Sequence, residues 1–239
     1  MDEVLANPKL CDLTFTASQV LAVLSSLDVN KASGPDEIPV RILKETAHKI
    51  APSLCDLFNK SLSLGSLPTE WKLANIVPVY KKDNKEYVEN YQPISLLCLV
   101  SKVMELCSFN AVKDQVYGLV GSCHSQHLFM AKRLCVTQLV ELFDLIGSQL
   151  HTGGQVDIIY LDMSKAFNKV SHHKLLTLLQ QHCFGGILLA WFDSYLRNRL
   201  QRVTALGVSS RALPVTSGVP QGSILGLILF LLYASCHLC

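Results

Sequence analysis

The sequence has almost no charge imbalance. Lys and Arg number 21 against 19 Asp and Glu, a net of +2 over 239 residues. So small an excess does not by itself point to a polyanionic partner. Charge of either sign is scarce, 17% of residues, beside a hydrophobic fraction of 49%. That balance excludes a disordered chain and fits a folded one with a sizeable core. There is no internal repeat and no low-complexity tract, which excludes a solenoid or array. The longest apolar run, Ile224–Ala234, is too short for a bilayer and suits a buried helix. No basic-then-apolar leader opens the chain, so an intracellular protein without a membrane partner is expected. The nine cysteines are scattered and odd in number, and read as reduced core thiols. Cys236 and Cys239 have C-x-x-C spacing without a second pair. Cys123, His124 and His127 also lack one, so neither group predicts zinc.

What the sequence does contain is one stretch around which the rest is arranged, Gln155–Val170, QVDIIYLDMSKAFNKV. It opens with Val156, Ile158, Ile159, Tyr160 and Leu161, β-branched and aromatic residues that suit a buried strand. The run stops at Asp162. A carboxylate at the end of a buried strand is where an α/β or α+β enzyme presents charge to a ligand. The residues allow a second reading, in which Asp162 simply N-caps the next helix.

Periodicity fills in the remainder. Thr16 and Gln19 form a capping box that opens a helix. Lys31–Pro39 is a turn-rich loop around Gly34-Pro35-Asp36. Val40–Ser63 repeats at helical spacing, with Pro52 expected to start a second helix and Gly65 to cap its end. Trp71–Tyr80 switches to a strand pattern. Lys81-Lys82-Asp83-Asn84-Lys85 is a polar hairpin tip, which is ordinarily just a solvated turn. Leu97–Val120 is a long amphipathic helix, and another runs from about Ala131 to Leu150. His172–Phe184 and Ile187–Arg197 are helices split by Gly185-Gly186, with His172 and His173 at the surface. Gln201–Leu206 and Leu213–Val219 form a hairpin pair. Gly218–Gly222 is a tight loop before a last helix, Ser223–Tyr233.

IIYLDMSKAFNKV resembles the first palm motif of reverse transcriptases from non-LTR, jockey-like retrotransposons. Four more segments match that family in order: KASGPDEIP (31–39), LPTEWKLANIVPVYKK (67–82), ENYQPISLL (89–97) and SGVPQGSILG (217–226). The resemblance runs from about Val29 to Tyr233. It implies an α+β fold, right-hand polymerase fingers and a partial palm, with helices on a small antiparallel sheet. It implies a helical lead-in over 1–28, fingers over 29–154 and palm from 155 to 239. The partners it implies are an RNA template, a DNA primer and a deoxynucleoside triphosphate. The implied cofactor is Mg²⁺ or Mn²⁺.

The resemblance also assigns roles. Asp162 matches a catalytic, metal-binding aspartate, and the Met163 backbone carbonyl its neighbouring ligand. Phe167 matches the residue that packs on the sugar and rejects a 2′-hydroxyl. Gln221 and Gly222 match the loop beside the nascent base pair. Lys81 and Lys82 would close over the triphosphate, and Gln92 stands where the family has Arg. Other departures are Leu128 for Gly, Leu134 for Ser, Asn168 for Asp and Leu227 for Pro. Ala234-Ser235-Cys236 replaces the usual Asn-Asp. The family's other two metal-binding aspartates lie in an Ala-Asp-Asp hairpin that these residues do not contain. Without the strands of that hairpin, the last helix is expected to leave apolar surface bare. Three functions follow as alternatives: an RNA-directed DNA polymerase, a non-catalytic nucleic-acid-binding module, and a decayed reading frame.

Overall fold

The computed structural model describes residues 10–121, 127, 133–162, 165–182 and 184–238. The α+β class holds. Eight helices occur among the described residues: α1 (Ala17–Ser25), α2 (Val40–Glu45), α3 (Ala47–Ser63), α4 (Leu99–Gly121), α5 (Cys135–His151), α6 (His172–Gln181), α7 (Gly186–Leu196) and α8 (Ile224–Leu238). The strands are β1 (Leu73–Tyr80), β2 (Tyr91–Leu97), β3 (Arg199–Ala205), β4 (Val208–Ser209) and β5 (Leu213–Val215). The sheet order is β2-β1-β3-β4, with β5 also on β3. Every pairing is antiparallel except β1–β3, which runs parallel with Leu73 opposite Leu200. One large core joins the helices from Phe15 to Leu232. Ala74, Ile76 and Leu97 form a small second cluster on the sheet.

Local signals explain most boundaries. The Thr16–Gln19 capping box forms as expected. Gly65 adopts φ +59 just past α3, and Ser66 N–H donates to the Ser61 carbonyl, a Schellman closure. The second helix does not start at Pro52, which lies inside α3. The break falls at Thr46 (φ −94°, ψ 5°), whose hydroxyl donates to the Ile42 carbonyl instead of capping forward. Asp36 of the 31–39 loop accepts from the Leu99 amide at 3.1 Å and so caps α4.

Two expectations fail. Residues 156–161 form no strand. They are irregular and largely bare, with Ile159 83% and Leu161 92% exposed. Strand propensity needs a paired neighbour to become a strand, and no described strand lies alongside. The last helix, in contrast, is well covered. Leu225, Ile228, Leu229, Leu231 and Leu232 of α8 are buried in the main core, where α8 packs on α4 and α6. The bare apolar surface lies instead on 158–161 and α5, which buries none of its residues.

Candidate nucleic-acid and nucleotide site

A closely knit backbone assembly surrounds the 217–222 loop. A short 3-10 turn, Ala166–Lys169, follows Lys165, which takes a left-handed conformation (φ 56, ψ 42). The loop is laced to that turn. Gly218 N–H donates to the Val170 carbonyl (2.8 Å), Val219 N–H to the Phe167 carbonyl (2.9 Å) and the Ser217 hydroxyl to the Asn168 carbonyl (3.0 Å). His172 Nε2 donates to the Gly218 carbonyl at 2.7 Å, so His172 is a loop anchor rather than a surface residue. Gly218 sits at φ +88, and a Cβ there would lie 2.7 Å from the Asn168 Cα. Only glycine fits.

On its far side the loop meets the β1–β2 hairpin. The Ser95 amide donates to the Gln221 carbonyl at 2.7 Å. Gly222, at φ +109, brings its Cα against the Ser95 carbonyl, 2.9 Å from where a Cβ would stand. Between sheet and loop lies a cavity of about 280 Å³ whose polar lining includes Ser95, Asn168, Gln201, Ser217 and Gln221. These side chains offer both donors and acceptors to sugar, base or phosphate.

Behind the loop is a buried charged group. Glu105 on α4 is 1% exposed, and its Oε2 accepts from the Ile224 (2.9 Å) and Leu225 (3.2 Å) amides at the start of α8. Arg199, 3% exposed, donates through Nη1 to the Tyr195 carbonyl and lies over the Tyr195 ring. Burial pushes the Glu105 carboxyl up, against the pull of Arg199 and of the two amides. Burial likewise pushes the Tyr195 phenol up, and the neighbouring Glu105 adds to it. Lys72, beside Arg199, is pulled down chiefly by burial and donates to the Ser194 hydroxyl.

The expected site residues distribute unevenly. Phe167 and Gln221 share the laced assembly, and the Phe167 ring stacks on Phe230 of α8 at 4.3 Å. Gly222 lies at the loop's end against Ser95. Asp162 is exposed, and no described residue bonds to its carboxylate. Met163 lies outside the described residues. Lys81 and Lys82 are exposed on the hairpin tip and do not line the cavity. Gln92 pairs with Val79 and also stays out of it. Sequence reading missed Ser95, Asn168, His172 and the Glu105–Arg199 pair. The one available signal was Glu105, a carboxylate set between Met104 and Leu106 in an apolar run.

The reverse transcriptase (RNA-dependent DNA polymerase) family model matches residues 79–237. The chain belongs to the reverse transcriptase family. Similar proteins include the RNA-directed DNA polymerase from mobile element jockey of Drosophila melanogaster, 28% identical over 242 residues, 98% of this chain and 26% of that protein. The probable RNA-directed DNA polymerase from transposon X-element of the same fly is 30% identical over 224 residues, 92% of this chain and 24% of that one. An uncharacterized 149 kDa protein of transposon TX1 from Xenopus laevis is 24% identical over 179 residues, 71% of this chain and 13% of that one. The chain thus spans about a quarter of the length of its Drosophila relatives. No helix among the described residues is long and apolar enough to cross a membrane.

Proposed function

We propose that these residues form the fingers (29–154) and the first part of the palm (155–239) of an RNA-directed DNA polymerase from a jockey-like mobile element. The observation that carries this is the laced 217–222 loop, which is tied to the Phe167 carbonyl on one side and brings Gln221 and the β1–β2 hairpin to one cavity although they are far apart in sequence. The cavity would take the template base and the incoming nucleotide. Its amide and hydroxyl side chains would orient them, and Phe167, stacked on Phe230 outside the lining, would bear on the sugar through the loop it holds. The hairpin-tip lysines would approach the phosphates from outside the cavity.

Divalent metal does not fit the residues present. Family chemistry uses two ions about 4 Å apart held by several carboxylates. Asp162 supplies one carboxylate, and no cluster of three or more His, Cys, Asp or Glu occurs among the described residues. No metal-borne step is therefore assigned to residues 1–239 alone. In isolation they bind a primed template without extending it. Lacking a stabiliser of developing charge costs on the order of 10²–10³ in rate for each one lost. The test is nucleotide incorporation on a primed RNA template with Mg²⁺ or Mn²⁺. Residues 1–239 give none. Fusing them to the palm hairpin and thumb of the jockey protein restores synthesis, and Asp162→Ala abolishes it again. Incorporation by the unfused chain, or a fusion indifferent to Asp162→Ala, would overturn the reading. Asn168→Asp and Gln92→Arg restore nothing in the unfused chain.

A further inference from the structure

Glu105 belongs to no contact assigned above to nucleic acid or nucleotide, whereas Arg199 borders the cavity itself. Burying a carboxylate is costly unless it is paired and hydrogen-bonded. Glu105 uses one oxygen for two amides at the head of α8, while its Oε1 has no hydrogen-bond partner among the described residues. Arg199, Lys102 and the Tyr195 hydroxyl are the groups that act on it. Arg199 is the first residue of β3 and pairs with Val215, just before the 217–222 loop.

Glu105 lies ten residues beyond Ser95 in sequence, on the helix that follows β2 almost directly. Ser95 holds the front of the loop through the Gln221 carbonyl, and Glu105 holds its back through Ile224 and Leu225. The strand and the helix after it therefore grip the same few residues from two sides. The Ser223 hydroxyl closes the turn by donating to the Pro220 carbonyl and accepting from Gly226 N–H. A carboxylate at a helix start also complements the positive end of its dipole.

We propose that Glu105 is a positioning residue: by fixing the head of α8 to the fingers helix, it holds Gln221 and Gly222 at the place where they meet the template–primer. This rests on the polymerase reading of the loop. Arg199 pulls against the burial of Glu105 without forming an ion pair with it among the described residues; the two amides are what hold the carboxyl. Glu105 itself touches no nucleic acid.

The test combines amide hydrogen exchange with fluorescence anisotropy, using residues 1–239 and an RNA template annealed to a labelled DNA primer. Glu105→Met removes the acceptor. It speeds exchange at Ile224 and Leu225 by about tenfold or more, since bonds to a charged acceptor are lost, and leaves amides of α3 unchanged. Affinity for the hybrid falls about fivefold or more. Glu105→Gln keeps an oxygen acceptor and brings both readouts back to within about twofold of the parent. A residue that only stabilised the fold would move the α3 amides in step. If Glu105→Met does not fold because Arg199 is left buried alone, the Glu105→Met/Arg199→Met pair gives both readouts, with Arg199→Met alone as the reference for its hybrid affinity because Arg199 borders the cavity. Ile224 and Leu225 amides that track those of α3 would overturn the proposal. So would unchanged hybrid affinity in a variant whose loop has loosened. A parent chain that binds no hybrid at all would overturn the polymerase reading of the loop, and this proposal with it. A parent that binds, with a Met variant that binds equally well, overturns the positioning role alone.

Discussion

Replacing Gly218 by alanine tests the lacing of the loop directly, and Gly207 provides its control. Both glycines have positive φ, +88 and +78. Gly207 has open space around it, whereas a Cβ on Gly218 would stand 2.7 Å from the Phe167 carbonyl oxygen and the Asn168 Cα. Left-handed backbone costs alanine about 1–2 kcal/mol. The lost freedom of the unfolded chain returns about 0.4–1 kcal/mol. The net is about 1 kcal/mol, common to both positions. At Gly218 the backbone must also move away from residues 167–168, which pulls on the Gly218–Val170 and Val219–Phe167 bonds. Leaving such buried groups unpaired costs about 1–3 kcal/mol each. Gly218→Ala should therefore lose about 3–7 kcal/mol, a large share of a typical 5–15 kcal/mol, and Gly207→Ala about 1. Urea denaturation followed by circular dichroism measures both. Equal losses would mean that the loop is not held against the 166–169 turn.

Asp162→Ala should change stability by less than about 0.5 kcal/mol, because the carboxylate is exposed and no described residue bonds to it; the same urea titration checks this. Phe143→Glu and Ile159→Lys, on the bare apolar surface, should reduce self-association seen by light scattering without lowering the melting temperature. The Cys98 and Cys107 thiols are each pushed up to about 12, mainly by burial, with a hydrogen bond to Asp36 adding at Cys98. Cys135 is exposed and should be alkylated by iodoacetamide at pH 8 while the other two resist. Since the folded pKa of each buried thiol lies above its unfolded value, their contribution is intact below about 9 and is lost as pH rises toward about 12. Melting temperature should fall over that interval, and Cys98→Ala should make the fall shallower.

Helices were legible because their signals are local. The Thr16–Gln19 box, the period of 40–63 and Gly65 each name their own positions, within a residue or two. Pro52 misled because proline suits a first turn, whereas here it stands at position six of α3 and forgoes one interior bond, which no local signal announces. The parallel β1–β3 pairing could not be read, since it joins residues more than a hundred apart in sequence and no local signal marks the partner. The glycines of the 217–222 loop were legible as a turn. That Gly218 packs on residues 167–168 and Gly222 on Ser95 was not, because each close approach is set by a distant segment. The Glu105–Arg199 pair was invisible for the same reason, as helical periodicity reports a face and not what that face touches.

The failed strand at 156–161 and the unexpectedly covered α8 have a common cause. An apolar helix can satisfy all its interior backbone bonds alone and needs only a surface to lie on, which α4 and α6 supply to α8. An apolar strand cannot; its amides and carbonyls need a neighbour before burial becomes favourable. Removing a strand partner therefore leaves the helix packed and the strand exposed, whatever their relative hydrophobicity. Ile158–Leu161 carry the sequence of a central strand and stay bare, while Leu225–Leu232 find cover in the helical core. Asp162 sits at the end of that exposed segment, so its place relative to Gln221 depends on the same pairing. The laced loop does not, because its bonds to the rest of the described residues come from Ser95, Glu105 and residues 167–172. The loop half of the proposed site is built from what these residues contain, and the carboxylate half lacks a strand partner among the described residues.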